Sequence, residues 1–272
     1  MLIIQYVLFA IIGSFSGFLA GFLGIGGGIV VVPSLFYLLN YYYGETATTM
    51  QLCVATSLAA MIVTTFFSMV SHRSKSGVEW SVVKKMTLGL ILGSLLGAYS
   101  ASFFKSDVLE LVFGAFLTLN SLAFIFHRTK DHHHLPHTTP KNWITFTAAT
   151  LISYLSTILG IGGGVFSVQF FSIIRLNIHK AIGSASAISF LISLFATSSY
   201  LLFDGRETNG ALSYAPFWGP VYLPAFISIS IFSALLAPVG VKCIYKIKTD
   251  LAKRLFGALL FVVGAHMILR AF

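Results

Sequence analysis

Apolar residues fall along this chain in long blocks separated by short polar connections. The blocks cover 2–23, 29–39, 47–71, 86–104, 108–126, 143–159, 165–174, 181–203, 216–239 and 251–269. A helix needs about 20 predominantly apolar residues to cross the hydrocarbon of a bilayer, and most of the blocks approach that length. The two at 29–39 and 165–174 fall well short. Each directly follows a glycine run, Gly24-Ile25-Gly26-Gly27-Gly28 in the first half and Gly160-Ile161-Gly162-Gly163-Gly164 in the second. Short, glycine-interrupted apolar segments at matching positions of two halves point to the binding region of a secondary transporter.

The correspondence between halves extends beyond the glycines. Val54-Ala55-Thr56-Ser57 resembles Ser184-Ala185-Ser186-Ala187, and Gly93-Ser94-Leu95-Leu96 resembles Ser233-Ala234-Leu235-Leu236. Asp107 with Gly114-Ala115 resembles Asp250 with Gly257-Ala258. The order is the same in both halves, which chance reaches far less easily than any single match. The chain reads as a first membrane repeat at 1–128, a linker at 129–142 rich in His, Thr and Pro, and a second membrane repeat at 143–272.

Composition makes the bilayer the solvent. Hydrophobic residues are 57% of the chain and charged residues 9%, against about 25% charged in an ordinary soluble domain. No charged side chain precedes Glu45 and no Lys or Arg precedes Arg73. The first block therefore lacks the basic start of a secretory signal and reads as a retained helix. The net charge of +9 does not imply nucleic acid, because the Lys and Arg residues sit in the connections, where membrane orientation signals belong. Cys53 and Cys243 are too few for a disulfide framework.

Those charges also discriminate between layouts. If each glycine run sits inside one continuous span, the 17 Lys and Arg residues divide almost evenly between the two sides. If each run tips a hairpin whose arms return to one side, all but Lys105, Arg206 and Arg270 fall on the same side. The positive-inside rule selects the second layout. The count tests the second hairpin, and the first follows from the repeat. The expected fold is an all-α polytopic membrane protein of two inverted-topology repeats. Each repeat is a glycine-tipped helical hairpin followed by three transmembrane helices. The linker is then cytoplasmic and the C-terminus outside.

Irregular backbone is tolerated at membrane depth only where it is buried in protein or lines a cavity. Glycine permits positive φ and close approach of a ligand. The stretches from about Gly28 and Gly164 would be helix N-termini, which offer N–H groups and partial positive charge to an anion. Gly26, Gly27, Gly28, Gly162, Gly163 and Gly164 are thus candidate substrate contacts. Gln169 stands where the first half has Pro33, and an amide within a membrane arm needs a partner. That partner is either substrate or a neighbouring helix. Thr56, Ser57, Ser184 and Ser186 are further candidates, although such hydroxyls often bond their own backbone.

The paired glycine runs, the Ala-Thr-Ser stretch at 55–57 and the duplicated plan resemble the TauE/SafE group, or TSUP family, of sulfite exporters and related permeases. The resemblance covers nearly the whole chain. It implies a transporter, by direction an exporter, of sulfite, sulfonates or other small sulfur-containing anions, in a bacterial inner membrane. The expected partners are a small anionic substrate and the lipid bilayer, with no nucleic acid and with room for a homo-oligomer.

The apolar blocks hold almost no ionisable groups. Glu110 stands close to a block end and His266 near the end of the last. With no buried acidic pair to relay protons, recognition falls to hydroxyls, backbone N–H groups and helix ends, and export is expected to need no coupling ion. His132, His133, His134 and His137 lack ordered metal-ligand spacing and read as a solvated linker. No cofactor is expected. An enzyme would need catalytic residues at depth, and no HExxH, G-x-S-x-G or buried Asp pair occurs. A receptor or scaffold, or a permease for an unrelated solute, remains the alternative.

Overall fold

The computed structural model describes residues 2–44, 46, 48–74, 77–126, 140–203, 216–244 and 250–270. The four linker histidines lie outside the described residues, as do Arg206, Lys246 and Lys248. Ten helices are described: α1 (Leu2–Leu23), α2 (Gly28–Tyr43), α3 (Thr49–Arg73), α4 (Trp80–Ala101), α5 (Ser106–Phe126), α6 (Asn142–Leu159), α7 (Gly164–Ile173), α8 (Ile178–Leu202), α9 (Leu223–Ile244) and α10 (Asp250–Arg270). Five of them, α1, α3, α4, α8 and α9, contain described stretches long and apolar enough to cross a membrane. The protein is an all-α polytopic membrane protein.

Backbone conformation sets the breaks. Gly24, Gly26 and Gly27 have φ of 69°, 85° and 85°, and Gly160, Gly162 and Gly163 have φ of 69°, 67° and 81°. Residues with a Cβ rarely adopt this region, so each run stops one helix and starts the next. The block at 216–239 departs from a purely helical reading. It opens as a hairpin in which β1 (Phe217–Trp218) pairs antiparallel with β2 (Val221–Tyr222), and α9 follows. Gly219, with φ of 54°, supplies the positive φ that two-residue hairpin turns demand.

Glycine also sets the helix packing. Gly13, Gly17 and Gly21 of α1 meet Ile229, Ser233 and Ala237 of α9 in turn, so these two helices run parallel. Gly89, Gly93 and Gly97 of α4 meet Phe146, Thr150 and Tyr154 of α6 in the same way. Small residues every fourth position let backbones approach closely where lipid gives no hydrophobic drive. Gly114 of α5 meets Ile268 of α10, and Gly264 of α10 meets Thr118, so this pair is antiparallel. Helices α3 and α8 cross the middle antiparallel, joined by the Ser68–Ser186 hydrogen bond at 3.0 Å and the Phe66–Phe190 contact.

The first glycine run turns the chain back on itself. Gln5, near the start of α1, donates to the Tyr222 hydroxyl at 3.0 Å, and the Tyr43 hydroxyl at the end of α2 lies 2.9 Å from the same oxygen. The outer ends of α1 and α2 therefore meet at one tyrosine. At the other end of α1, the Gly21 carbonyl lies 3.2 Å from His72 Nε2, near the end of α3.

Candidate functional site: two crossed glycine loops

The two glycine runs touch each other. A Cβ on Gly28, the first residue of α2, would fall 2.8 Å from Ile161 Cα and closer still to the Gly160 carbonyl. A Cβ on Gly164, the first residue of α7, would fall 2.5 Å from Ile25 Cα and closer to the Gly24 carbonyl. The start of each short helix is thus seated on the loop of the opposite half. Neither N-cap, Gly27 or Gly163, has a side chain to cap the first-turn N–H groups. Two helix N-termini, each with partial positive charge, converge within the protein.

Side chains from α3 and α8 complete the surroundings. The terminal methyl of Met61 lies against both Gly26 and Gly162. Ser57 Oγ donates to the Gly160 carbonyl at 3.0 Å. Ser193 Oγ lies 3.2 Å from where a Gly162 Cβ would be, and Thr65 Cγ2 lies 3.6 Å from that of Gly26. All of these residues are buried.

Buried hydroxyls on these helices fall into two groups. Thr64, Ser94 and Thr118 return their hydroxyls to a carbonyl one turn back. Ser189, Ser193 and Thr197 follow one another at four-residue spacing, and their buried oxygens have no hydrogen-bond partner among the described residues. Ser167 of α7 is in the same position. Buried polar groups are nearly always satisfied, so this row, whose Ser193 lies against Gly162, is suited to meet acceptor oxygens of a ligand.

The sequence candidates separate in space. The six glycines and Ser57 come together at the crossing. Thr56 Oγ1 instead accepts from the Tyr222 N–H at 2.9 Å. Ser184 Oγ accepts from the Glu79 N–H at 2.8 Å. Ser186 pairs with Ser68 and donates to the Ile182 carbonyl. Gln169 is exposed, and its amide donates to Asn120 Oδ1 on α5 at 3.4 Å.

Met61, Thr65, Ser189 and Ser193 were not among the candidates. Met61 carries no polar signal, and the serine spacing on α8 is lost among many hydroxyls. Repeat register is a further reason. Gly24 packs on Ile182 and Gly160 packs on Val54. In space, therefore, Val54 stands to one loop as Ile182 stands to the other, two residues away from its sequence match to Ser184. In that register Met61 corresponds to Ser189 and Thr65 to Ser193. Among the described residues no group of His, Cys, Asp and Glu is arranged to hold a metal ion.

The family described as Sulfite exporter TauE/SafE matches residues 9–267. The chain belongs to this TauE/SafE family. Its crossed loops and buried hydroxyl row are thus features of a membrane transporter. A probable membrane transporter protein of Haemophilus influenzae is 27% identical over 96% of this chain and 97% of its own length. One of Methanocaldococcus jannaschii is 25% identical over 96% and 95%. One of Bacillus subtilis is 26% identical over 78% and 84%. No solved structure matches the chain.

Proposed function

We propose that this protein moves a small oxyanion of the sulfite or sulfonate class across the membrane by alternating access around the crossed glycine loops. The reciprocal seating of Gly28 on Gly160-Ile161 and of Gly164 on Gly24-Ile25 carries the reading. It brings two uncapped helix N-termini to one place, and helix N-termini bind anions through N–H groups and the helix dipole. Ser167, Ser189 and Ser193 supply hydroxyl donors beside them. The family description, a sulfite exporter, supports the substrate class.

The two halves act as inverted repeats in this mechanism. In support, α1 lies parallel to α9 and α6 parallel to α4, while α3 and α8 oppose one another. Rocking of one half against the other would open the crossing first to one side and then to the other. The substrate-binding set in this reading is Gly26, Gly27, Gly28, Ser57, Gly162, Gly163 and Gly164, widened by Ser189 and Ser193. Thr56, Ser184, Ser186 and Gln169 hold the helices that carry these groups. In a bacterial inner membrane the linker faces the cytoplasm. The inside-negative potential then favours anion exit by about 2.3 kcal/mol per charge per 100 mV.

Flux into sealed proteoliposomes tests the reading, comparing sulfite, sulfate, thiosulfate and a sulfonate. Saturable flux of at least one sulfur oxyanion, stimulated by a potential, is expected. No flux of any, together with a stable protein partner on purification, would replace the transporter reading by a receptor or scaffold.

A further inference from the structure

Among the described residues, Glu110 is the one buried acid, 2% exposed on α5. The sequence places it near a block end, where water would solvate it. The structure places it instead at the junction of α2, α5 and α10. His266 and Arg270 stand one turn apart on α10, which packs antiparallel along α5. Tyr37 of α2 reaches this helix, its hydroxyl 2.7 Å from His266 Nδ1 and its ring 5.5 Å from the imidazole. The preceding Phe36 carries the Arg270 guanidinium 5.1 Å from its ring centre. Glu110 and Arg270 both lie within electrostatic range of the Tyr37 hydroxyl.

Among the described residues, the other charges on the elements around this junction lie elsewhere. Lys105 and Asp107, at the start of α5, are exposed. The charged groups of α3, His72 and Arg73, stand at its far end, and its buried Cys53 is a neutral thiol. In the other half the described contact between α7 and α5 is uncharged: Gln169 bonds Asn120 and Phe166 packs on Phe116. The junction of α2, α5 and α10 therefore brings together an acid, an imidazole, a guanidinium and a phenol. An ionisable group inside a membrane protein is costly and is kept for function. Burial favours the neutral form of an acid, whereas a nearby cation favours the carboxylate.

Helix α2 links this junction to the crossed loops. It starts at Gly28, on the opposite glycine loop, and Tyr37 follows nine residues later, about 13 Å along the axis at about 1.5 Å per residue. We propose that Glu110, with Tyr37, His266 and Arg270, is an intramembrane proton-binding site whose occupancy sets the position of α2 and so couples proton movement to anion transport. The coupling clause rests on the anion reading above, and the proton site does not. The step is simple: the Glu110 carboxylate takes one proton from water, with His266 as the exposed member of the cluster, and one negative charge within electrostatic range of Tyr37 is removed. Transport is then proton-coupled, in place of the uncoupled export expected from the sequence.

Infrared difference spectra of the protein in lipid vesicles, recorded against pH without substrate, test the site. A protonated-carboxyl band that grows as pH falls is expected in the wild type and in Asp107→Asn. It should vanish in Glu110→Gln, shift in frequency in Glu110→Asp, and move its midpoint by about one pH unit in Tyr37→Phe. Thiosulfate flux, with an anion that stays ionised across the range, tests the coupling. Wild-type flux should change with pH by up to about tenfold per unit, and Glu110→Gln should be flat. A band unchanged in both Glu110 variants overturns the proton site, and unchanged pH dependence of flux in Glu110→Gln overturns the coupling. If wild-type protein carries no sulfur oxyanion at all, the anion reading fails while the infrared band still decides the proton site.

Discussion

Ser57 Oγ donates a 3.0 Å hydrogen bond to the carbonyl of Gly160, tying α3 of the first half to the glycine loop of the second. Both groups are buried, so the bond cannot be replaced by water at no cost. Ser57→Ala leaves a buried carbonyl unsatisfied, and a loss of about 1–3 kcal/mol is expected. Thermal unfolding in detergent measures it, and the flux of the same variant should fall.

Gly28→Ala and Gly164→Ala place a methyl on the backbone of the opposite loop, in contacts no Cβ tolerates. Both variants should lose transport even where they still reach the membrane. Gly44→Ala is the comparison. A Cβ there meets nothing within 4 Å, so only its backbone, at φ 78° and ψ 168°, opposes the change, at about 1–3 kcal/mol, and flux should survive.

Ser193→Ala separates ligand binding from structure. Its hydroxyl has no partner among the described residues, and removing an unsatisfied buried group is neutral or stabilising. The variant should unfold at the wild-type temperature or slightly above, yet carry oxyanion with a raised KM. A fall in stability with unchanged KM would remove Ser193 from the site. Gln169→Ala, at the exposed α5 contact, should change KM by less than about twofold, which is below about 0.5 kcal/mol.

Met61 fills the space between Gly26 and Gly162. Met61→Ala opens a void and should cost about 2–5 kcal/mol. Met61→Leu, closer in volume, should cost under about 1.5 kcal/mol. Relative flux of a bulky sulfonate against sulfite should rise in Met61→Ala and stay near wild type in Met61→Leu.

Cys243 reports sidedness. It lies near the end of α9, which runs parallel to α1 and ends beside Gly21 and His72. An impermeant thiol reagent applied outside intact cells should leave it unlabelled, and inverted vesicles should expose it. Labelling from outside would reverse the proposed orientation.

The sequence by itself determined the solvent, the number of apolar blocks and the positions of the breaks. Those properties are local: block length against bilayer thickness, and glycine against the left-handed region of φ. The block boundaries at 29–39 and 165–174 anticipated α2 and α7, whereas the hairpin before α9 did not show, because two-residue strands leave no periodic trace. Only the tertiary structure decided which side chains meet. Ser57 and Thr56 are adjacent in sequence, but a helix turns them about 100° apart, so one reaches Gly160 and the other Tyr222. Met61 and Ser193 became visible only once two loops from different halves enclosed them. Glu110 lay near a block end in the sequence, and only the folded chain shows it buried. The glycine runs read as two breaks along the chain, and the contact between them, through backbones that no Cβ separates, exists only in three dimensions.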